Sequence, residues 1–132
     1  MRTFSVCCAA IAFACTGASA ASWRPVSQTD TKRFETALGS FVLGADASGD
    51  RIAIMLGRVT DNATQGTRVE RWQVTTADCL HGRGQLATAN VEGRVQYVNR
   101  FEFASGSTAS RVAQVLCEAY RATLEAPRLQ KS

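Results

Sequence analysis

No catalytic constellation of acid–base or nucleophilic residues stands out in this chain. His81 is its single histidine, whereas a serine hydrolase needs a nucleophile, a histidine base and an acid that orients the base. No G-x-S-x-G motif surrounds a serine, and His81 stands in the glycine-rich stretch His81–Gly84 (HGRG), which is typical of a flexible turn. We therefore predict that His81 is an exposed turn residue and not a catalytic base.

The sequence gives equally little support for a metal site, for a glycosidase or for a phosphate-binding loop. Asp78, Cys79 and His81 could ligate zinc, but their spacing matches no known ligand set, and such a site would leave Cys117 unpaired. Glycoside hydrolysis needs a pair of carboxylates, and the acids here are scattered singly: Glu70, Asp78, Glu92 and Glu102. The stretch Gly82–Gly84 lacks the pattern of a phosphate-binding loop. We predict a protein that is not an enzyme and holds no metal or cofactor.

The first twenty residues have the pattern of a cleavable signal peptide. Arg2 supplies the positive start, Val6–Ala14 is a short apolar run, and Ala18-Ser19-Ala20 places small residues at both positions that a signal peptidase reads. The apolar run is shorter than the roughly 20 residues that a membrane-spanning helix needs. We interpret residues 1–20 as a signal peptide and residues 21–132 as a single exported domain of the periplasm or cell envelope.

Cys15 offers a second interpretation of the same segment. It follows Ala12-Phe13-Ala14, and a small residue before a cysteine can mark lipoprotein cleavage. The bulky Phe13 fits that pattern poorly, so we favour cleavage after Ala20. A lipid on Cys15 would tether the domain to a membrane, which is the one route by which we expect a membrane contact.

Cleavage after Ala20 leaves two cysteines, Cys79 and Cys117, in the exported chain. Oxidising compartments make and keep disulfides, so we predict that these two form one. A redox-active pair more often has the close C-x-x-C spacing, and we therefore interpret the bond as structural. Closing this loop stabilises the fold by roughly 4 kcal/mol in the chain-entropy model.

The positive charge of the chain does not indicate a nucleic-acid partner. The formal net charge is +4, and it falls to +3 once Arg2 is removed with the signal peptide. The arginines come singly along the sequence, whereas nucleic-acid binding needs them clustered on one face. We predict no nucleic-acid partner, and a protein partner instead. Weak attraction to acidic groups stays open.

Hydrophobic and turn patterns predict an antiparallel sheet of about five strands. Turn formers at Ala45–Asp50 and Val91–Gly93 each separate two apolar segments, as in hairpins. The predicted strands lie within Phe34–Leu43, Arg51–Val59, Arg68–Cys79, Gln85–Asn90 and Arg94–Phe103.

The last element has the period of a helix. Ser105–Thr108 offers N-cap residues, and the apolar positions that follow recur at helical spacing: Val112, Val115, Leu116, Ala119, Tyr120 and Leu124. Cys117 lies beside this stripe, so the predicted disulfide ties the helix to the strand that ends at Cys79. The fold class is α+β, mainly antiparallel β-sheet with one C-terminal helix and one disulfide.

One strand concentrates the aromatic residues. Val95, Tyr97, Asn99, Phe101 and Phe103 alternate along Arg94–Phe103 and share one face. We predict that this face packs under the C-terminal helix, and that Trp72 also lies in the core. An aromatic side chain that proves exposed becomes a candidate contact for a partner.

The order of these features resembles the small exported domains related to surface-adhesin protein E. Trp23 opens the domain, a strand runs into Asp78-Cys79, NVEGRV and YVNRFEF form a hairpin, and Gly106-Ser107 precedes a helix with Cys117. The sequence departs from that group where Ala104-Ser105 replaces a proline, and where a phenylalanine replaces a tryptophan in the last strand. The resemblance implies a β-rich envelope domain with one disulfide, and adhesion in a few relatives.

These observations together predict a non-enzymatic binding module of the bacterial envelope. Its sharpest version is a small periplasmic inhibitor or immunity protein that blocks a toxic enzyme. The alternatives are a surface adhesin, as the resemblance implies, and a small hydrolase with an unrecognised site. The binding residues are unknown from sequence, and the candidate contacts are three loops: Asp46–Asp50, Asp61–Gly66 and His81–Gly84.

Overall fold

The computed structural model describes residues 22–131, with side chains as far as residue 126. The predicted signal peptide and Cys15 lie outside the described residues. The strands are β1 (Trp23–Gln28), β2 (Lys32–Ala37), β3 (Val42–Ala45), β4 (Arg51–Asp61), β5 (Thr67–Thr75), β6 (Arg83–Ala89) and β7 (Val95–Glu102). The helices are α1 (Thr76–His81), a 3-10 turn (Phe103–Ser105) and α2 (Thr108–Lys131).

The strands form one antiparallel sheet in the order β1-β2-β4-β5-β6-β7. The long strand β4 pairs with β5 on one side, and on its other side it is shared by β3 and β2. Helix α2 lies against one face and contacts β1, β4, β5 and β7. The predicted α+β fold, an antiparallel sheet with one long C-terminal helix and a disulfide, is confirmed.

The sheet has seven strands, where the sequence pattern indicated about five. Strand β1 was missed because Pro25 and the polar residues around it hide its alternation. The segment Phe34–Leu43 contributes to two strands, β2 and β3, separated by a turn at Leu38-Gly39. Gly39 adopts a positive φ of 84° there, a conformation that glycine takes without steric penalty.

The strand predicted over Arg68–Cys79 ends at Thr75, and Cys79 lies on the short helix α1 instead. The Thr75 hydroxyl accepts a hydrogen bond from the backbone N–H of Asp78 at 3.1 Å, which caps the helix. Gly82 ends it with a φ of 74°. The predicted Cys79–Cys117 disulfide is present, and it joins α1 to α2 rather than joining a strand end to the helix.

The core fills the space between α2 and the sheet. Trp72 and Val74 of β5 and Phe101 of β7 are buried there, as predicted for Trp72. From α2 the buried stripe consists of Val112, Ala113, Leu116, Cys117 and Tyr120. Within residues 22–131, no helix is both long enough and apolar enough to span a membrane.

Two buried threonines on neighbouring strands differ in whether their hydroxyl is paired. Thr36 of β2 donates to the carbonyl of Leu56 at 3.0 Å, whereas the Thr60 hydroxyl of β4 has no hydrogen-bond partner in the described part of the chain. Both side chains are at most 2% exposed. An unpaired buried hydroxyl destabilises a fold because it loses its hydrogen bonds to water.

We predict opposite effects of the same substitution at these two positions. Thr60→Val removes an unpaired polar group and should raise the free energy of unfolding by about 1 kcal/mol. Thr36→Val serves as the matched variant and should lower it by about 1 kcal/mol, because it removes a formed bond. Urea unfolding of both variants measures the difference, and equal changes at the two sites would contradict the assignment.

Candidate functional site

The three candidate loops do not meet in the structure. Asp46–Asp50 precedes β4 and α1 follows β5, and because Ile52 pairs with Thr75 the two lie at the same end of the sheet. His81–Gly84 belongs to that end. Asp61–Gly66 connects β4 to β5 at the opposite end. A single partner surface made of all three loops is therefore excluded.

The acidic side chains of these loops stabilise their own turns. Asp46 Oδ1 accepts from the backbone N–H groups of Ser48 and Asp50 at 3.0 and 2.9 Å. The N–H of Asp50 and then the hydroxyl of Ser48 hold the pKa of Asp46 below its usual value. Asp61 Oδ1 accepts in the same way from the backbone N–H of Ala63 at 2.9 Å. These loops are internally bonded turns with few groups left for a ligand.

The hollow around His81 brings together the residue types of a hydrolase without connecting them. It has a volume of about 900 Å³, and His81, Ser105 and Glu102 line it. The Ser105 hydroxyl is hydrogen-bonded to that of Ser110 at 2.7 Å, and no described hydrogen bond joins it to His81. His81 itself is exposed, as predicted, but it is the last residue of helix α1 and not a turn residue. A nucleophile paired with its base, as a serine hydrolase uses, is not assembled at this hollow.

The zinc site and the carboxylate pair considered from the sequence are not formed by the described residues either. Cys79 is consumed in the disulfide, so it cannot ligate zinc together with Asp78 and His81. Among residues 22–131, no group of three His, Cys, Asp or Glu side chains is arranged to hold a metal ion. Of the candidate carboxylates, Glu70 is buried, whereas Glu92 and Glu102 are exposed.

A groove that sequence reasoning missed lies on the α2 face of the sheet. It has a volume of about 490 Å³ and runs beside the first turns of α2. Its apolar lining comes from Phe34, Trp72, Leu86, Ala109 and Val112. Its charged and polar lining includes Lys32, Arg68, Glu70, Thr88, Tyr97, Asn99 and Arg100. This size falls in the range of small-ligand pockets in proteins.

The groove is organised by three alternate residues of β5, which share one face of the sheet. Trp72 donates from its indole Nε1 to Glu70 Oε1 at 2.9 Å. Arg68 Nε donates to Glu70 Oε2 at 3.2 Å. Glu70 is only 5% exposed, so each of its carboxylate oxygens needs such a donor.

Arg68 stays charged at the rim of the groove. Partial burial of the guanidinium lowers the pKa of Arg68, but the charge of Glu70 and the side chain of Tyr97 outweigh that effect. The pKa of Arg68 therefore lies above its usual value. A fixed positive charge stands at this point of the rim.

Gly57 makes room for the indole ring of Trp72. Gly57 pairs with Glu70 across β4 and β5, and a Cβ atom at Gly57 would collide with the Trp72 ring. The ring can lie across β4 only because this position has no side chain. The Trp72–Glu70 hydrogen bond therefore depends on a glycine one strand away.

Strand β7 corrects the prediction made for its aromatic face. Phe101 is 4% exposed and packs under α2 as predicted, but Tyr97 is 46% and Val95 49% exposed. Phe103 lies in the 3-10 turn and stacks on Phe101, with ring centroids 5.7 Å apart. The helix begins close to the Phe101 end, so it does not cover the rest of β7. Tyr97 thereby becomes the exposed aromatic contact candidate.

The outer edge of β7 has backbone groups that no described residue pairs. The N–H of Phe103 donates to Gly82 on the β6 side, and the N–H of Glu102 points the other way and donates to Ser110 Oγ at 3.0 Å. The backbone N–H and C=O groups of successive residues in a strand point alternately to its two sides. Those of Val98 and Arg100 therefore also point outward, away from β6. Gln96 is the extra residue of a β-bulge and interrupts this edge towards Val95.

The opposite edge of the sheet is better protected. In β1, Pro25 has no N–H to offer, and Val26 is the extra residue of a bulge. Trp23 at its start is covered by the guanidinium of Arg58, 4.6 Å from the ring centroid. The edge of β7 is therefore more open than that of β1.

Comparison of the chain with protein-family models, with curated proteins and with solved structures finds no match. The resemblance to domains related to protein E stays a prediction from the sequence.

We predict that Gly57→Ala disrupts the groove. The added methyl group collides with the Trp72 ring, so the free energy of unfolding should fall by about 1–3 kcal/mol. Gly66→Ala is the matched control, because its Cβ would meet only the flexible Thr64 hydroxyl at 3.2 Å. Urea unfolding measures both variants. A Gly57→Ala protein as stable as the control would show that the ring does not lie over β4.

Proposed function

We propose that this chain is a non-enzymatic binding module of the bacterial cell envelope that docks a protein partner on the outer edge of β7. In the version we favour, the partner is a toxic or lytic enzyme that the module inhibits. The observation that carries the proposal is the unpaired backbone of Val98 and Arg100 beside exposed side chains. Val95, Tyr97 and Val98 are each 46–49% exposed.

An edge of this kind suits the addition of an extended segment from a partner. Each outward residue offers one N–H and one C=O, so Val98 and Arg100 together supply two donors and two acceptors. Main-chain hydrogen bonds give such complexes their affinity, and alternating side-chain contacts give them specificity. The bulge at Gln96 limits the pairing to a short segment, which disfavours uncontrolled pairing of many copies.

The scaffold behind this edge is held by a disulfide and by a hydrogen bond to the helix. The Cys79–Cys117 bond fixes α1 to α2, and the hydroxyl of Ser110, near the start of α2, holds the end of β7 at Glu102. A preorganised surface loses little conformational entropy on binding. That property suits an inhibitor, which must bind its target tightly.

The placement in the envelope rests on two lines of support. Disulfides persist in oxidising compartments, and one is present here. The signal-peptide pattern of residues 1–20 comes from the sequence alone. Inhibitor and adhesin would use the same edge but differ in partner, so the experiment has to identify the partner.

We predict that Val98→Pro weakens partner binding, because proline removes the outward N–H while leaving the bonds to β6 in place. Val98→Thr is the matched control that keeps this N–H. Tagged wild-type, Val98→Pro and Val98→Thr proteins capture partners from envelope extract, and the captured enzyme is purified and assayed with each. Circular dichroism checks that both variants are folded.

The expected result is one enzyme that wild-type and Val98→Thr proteins inhibit at a one-to-one ratio. Loss of a hydrogen bond plus the clash of the ring should weaken Val98→Pro by about 10- to 100-fold. Equal inhibition by Val98→Pro would place the contact elsewhere. Capture of a host matrix protein alone, when host extract is added, would favour the adhesin instead.

A further inference from the structure

The groove beside α2 has a charge surplus that its own residues do not neutralise. The side chains of Lys32 and Arg68 line it, whereas Glu70 is the single carboxylate in its lining. Arg68 already pairs with Glu70. Within the described chain, Lys32 has no carboxylate within ion-pair distance. The lining therefore attracts an anionic group.

The interior of the groove has the opposite character. Trp72, Leu86 and Val112 are at most 4% exposed and form an apolar floor with the half-buried Phe34. A fully polar ion gains nothing from such a floor, whereas an apolar body buried on it gains roughly 25 cal/mol per Å² of surface removed from water. Cationic side chains at the rim and an apolar floor together match a ligand that has an anionic group and an apolar body.

The register of the strands shows how the charged and the apolar lining residues are arranged along the groove. Phe34 pairs with Val59, which pairs with Arg68, so Phe34 and Arg68 stand in one row across the strands. Lys32 lies one same-face position beyond Phe34, which packs against the core formed with α2. Trp72 lies on the helix side of Arg68. Lys32 and Arg68 are therefore at the outer end of the groove, where Asp61 of β4 lies opposite Lys32, and the apolar floor runs inward toward α2.

We propose that the groove binds a single molecule of a small amphiphile with one anionic head group, a carboxylate or a phosphate. The head group lies at the outer end, by Lys32 and Arg68. The apolar body lies on Phe34, Trp72 and Leu86, beside the first turns of α2. This site shares the lining residue Tyr97 with the β7 edge, but it uses none of the outward backbone groups of that edge and does not rest on the proposed protein partner.

The test is titration with dodecanoate and dodecyl phosphate below their micelle concentrations, followed by calorimetry and by the NMR signal of the Trp72 indole N–H. Methyl dodecanoate is the uncharged comparison, and acetate and inorganic phosphate are the comparisons without a tail. We expect saturable one-to-one binding of the two anionic amphiphiles, with a shift of the Trp72 signal. The uncharged and tail-less compounds should bind at least about fivefold more weakly.

Two pairs of variants locate the site. Lys32→Gln should weaken dodecanoate binding about fivefold, whereas Arg51→Gln, an equal loss of charge at an exposed position of β4 outside the groove, should not change it. Ala109→Trp fills the groove and should abolish binding. Ala122→Trp, on an exposed position of α2, should leave it intact.

Val98→Pro should bind dodecanoate like the wild type. The proposal of an amphiphile site and the proposal of partner docking on the β7 edge can therefore be refuted independently. Equal binding of methyl dodecanoate with no effect of Lys32→Gln would overturn the anionic head group. Binding unaffected by Ala109→Trp would overturn the groove. Binding only to anionic lipid vesicles, and not to monomeric amphiphile, would show that the protein recognises a membrane surface instead.

Discussion

The hydrogen bond from the Trp72 indole to the buried Glu70 carboxylate is the interaction on which the rest of this structure depends. A buried carboxylate destabilises a fold unless it is paired and hydrogen-bonded, and here Arg68 completes the pairing. The arrangement exists because Gly57 leaves room for the ring. It sets Arg68 at the rim and the indole on the floor, so one contact determines both the charge and the shape of the groove.

The binding surfaces follow from how little of the sheet the helix covers. Helix α2 packs over the end of β7 that carries Phe101, where the Cys79–Cys117 bond holds it to α1. The remainder of that face stays open as the groove, and β7 extends past the helix with Tyr97 exposed. A larger helical layer would have buried both. The position of α2 on the sheet therefore determines both the part of this face that is covered and the part that is open.

Local patterns in the sequence were enough for the fold class, the β6–β7 hairpin and the disulfide. Local patterns did not predict features that depend on a competing local signal or on a contact with a distant part of the chain. The cap that Thr75 provides for Asp78 ended a strand that alternation alone carried on to Cys79. The exposure of Tyr97 depends on where α2 crosses the sheet, and the groove depends on Gly57 pairing with Glu70 from another strand. No spacing within one segment encodes either feature.

Hydrogen exchange followed residue by residue by NMR tests this account most directly. The account predicts slow exchange of the Trp72 indole N–H, which is buried and bonded to Glu70. Along β7 it predicts alternation, with protected amides at Asn99 and Phe101 and rapid exchange at Val98 and Arg100. Fast exchange of the indole would contradict the central hydrogen bond. Uniform protection along β7 in dilute protein would show that its edge is already covered.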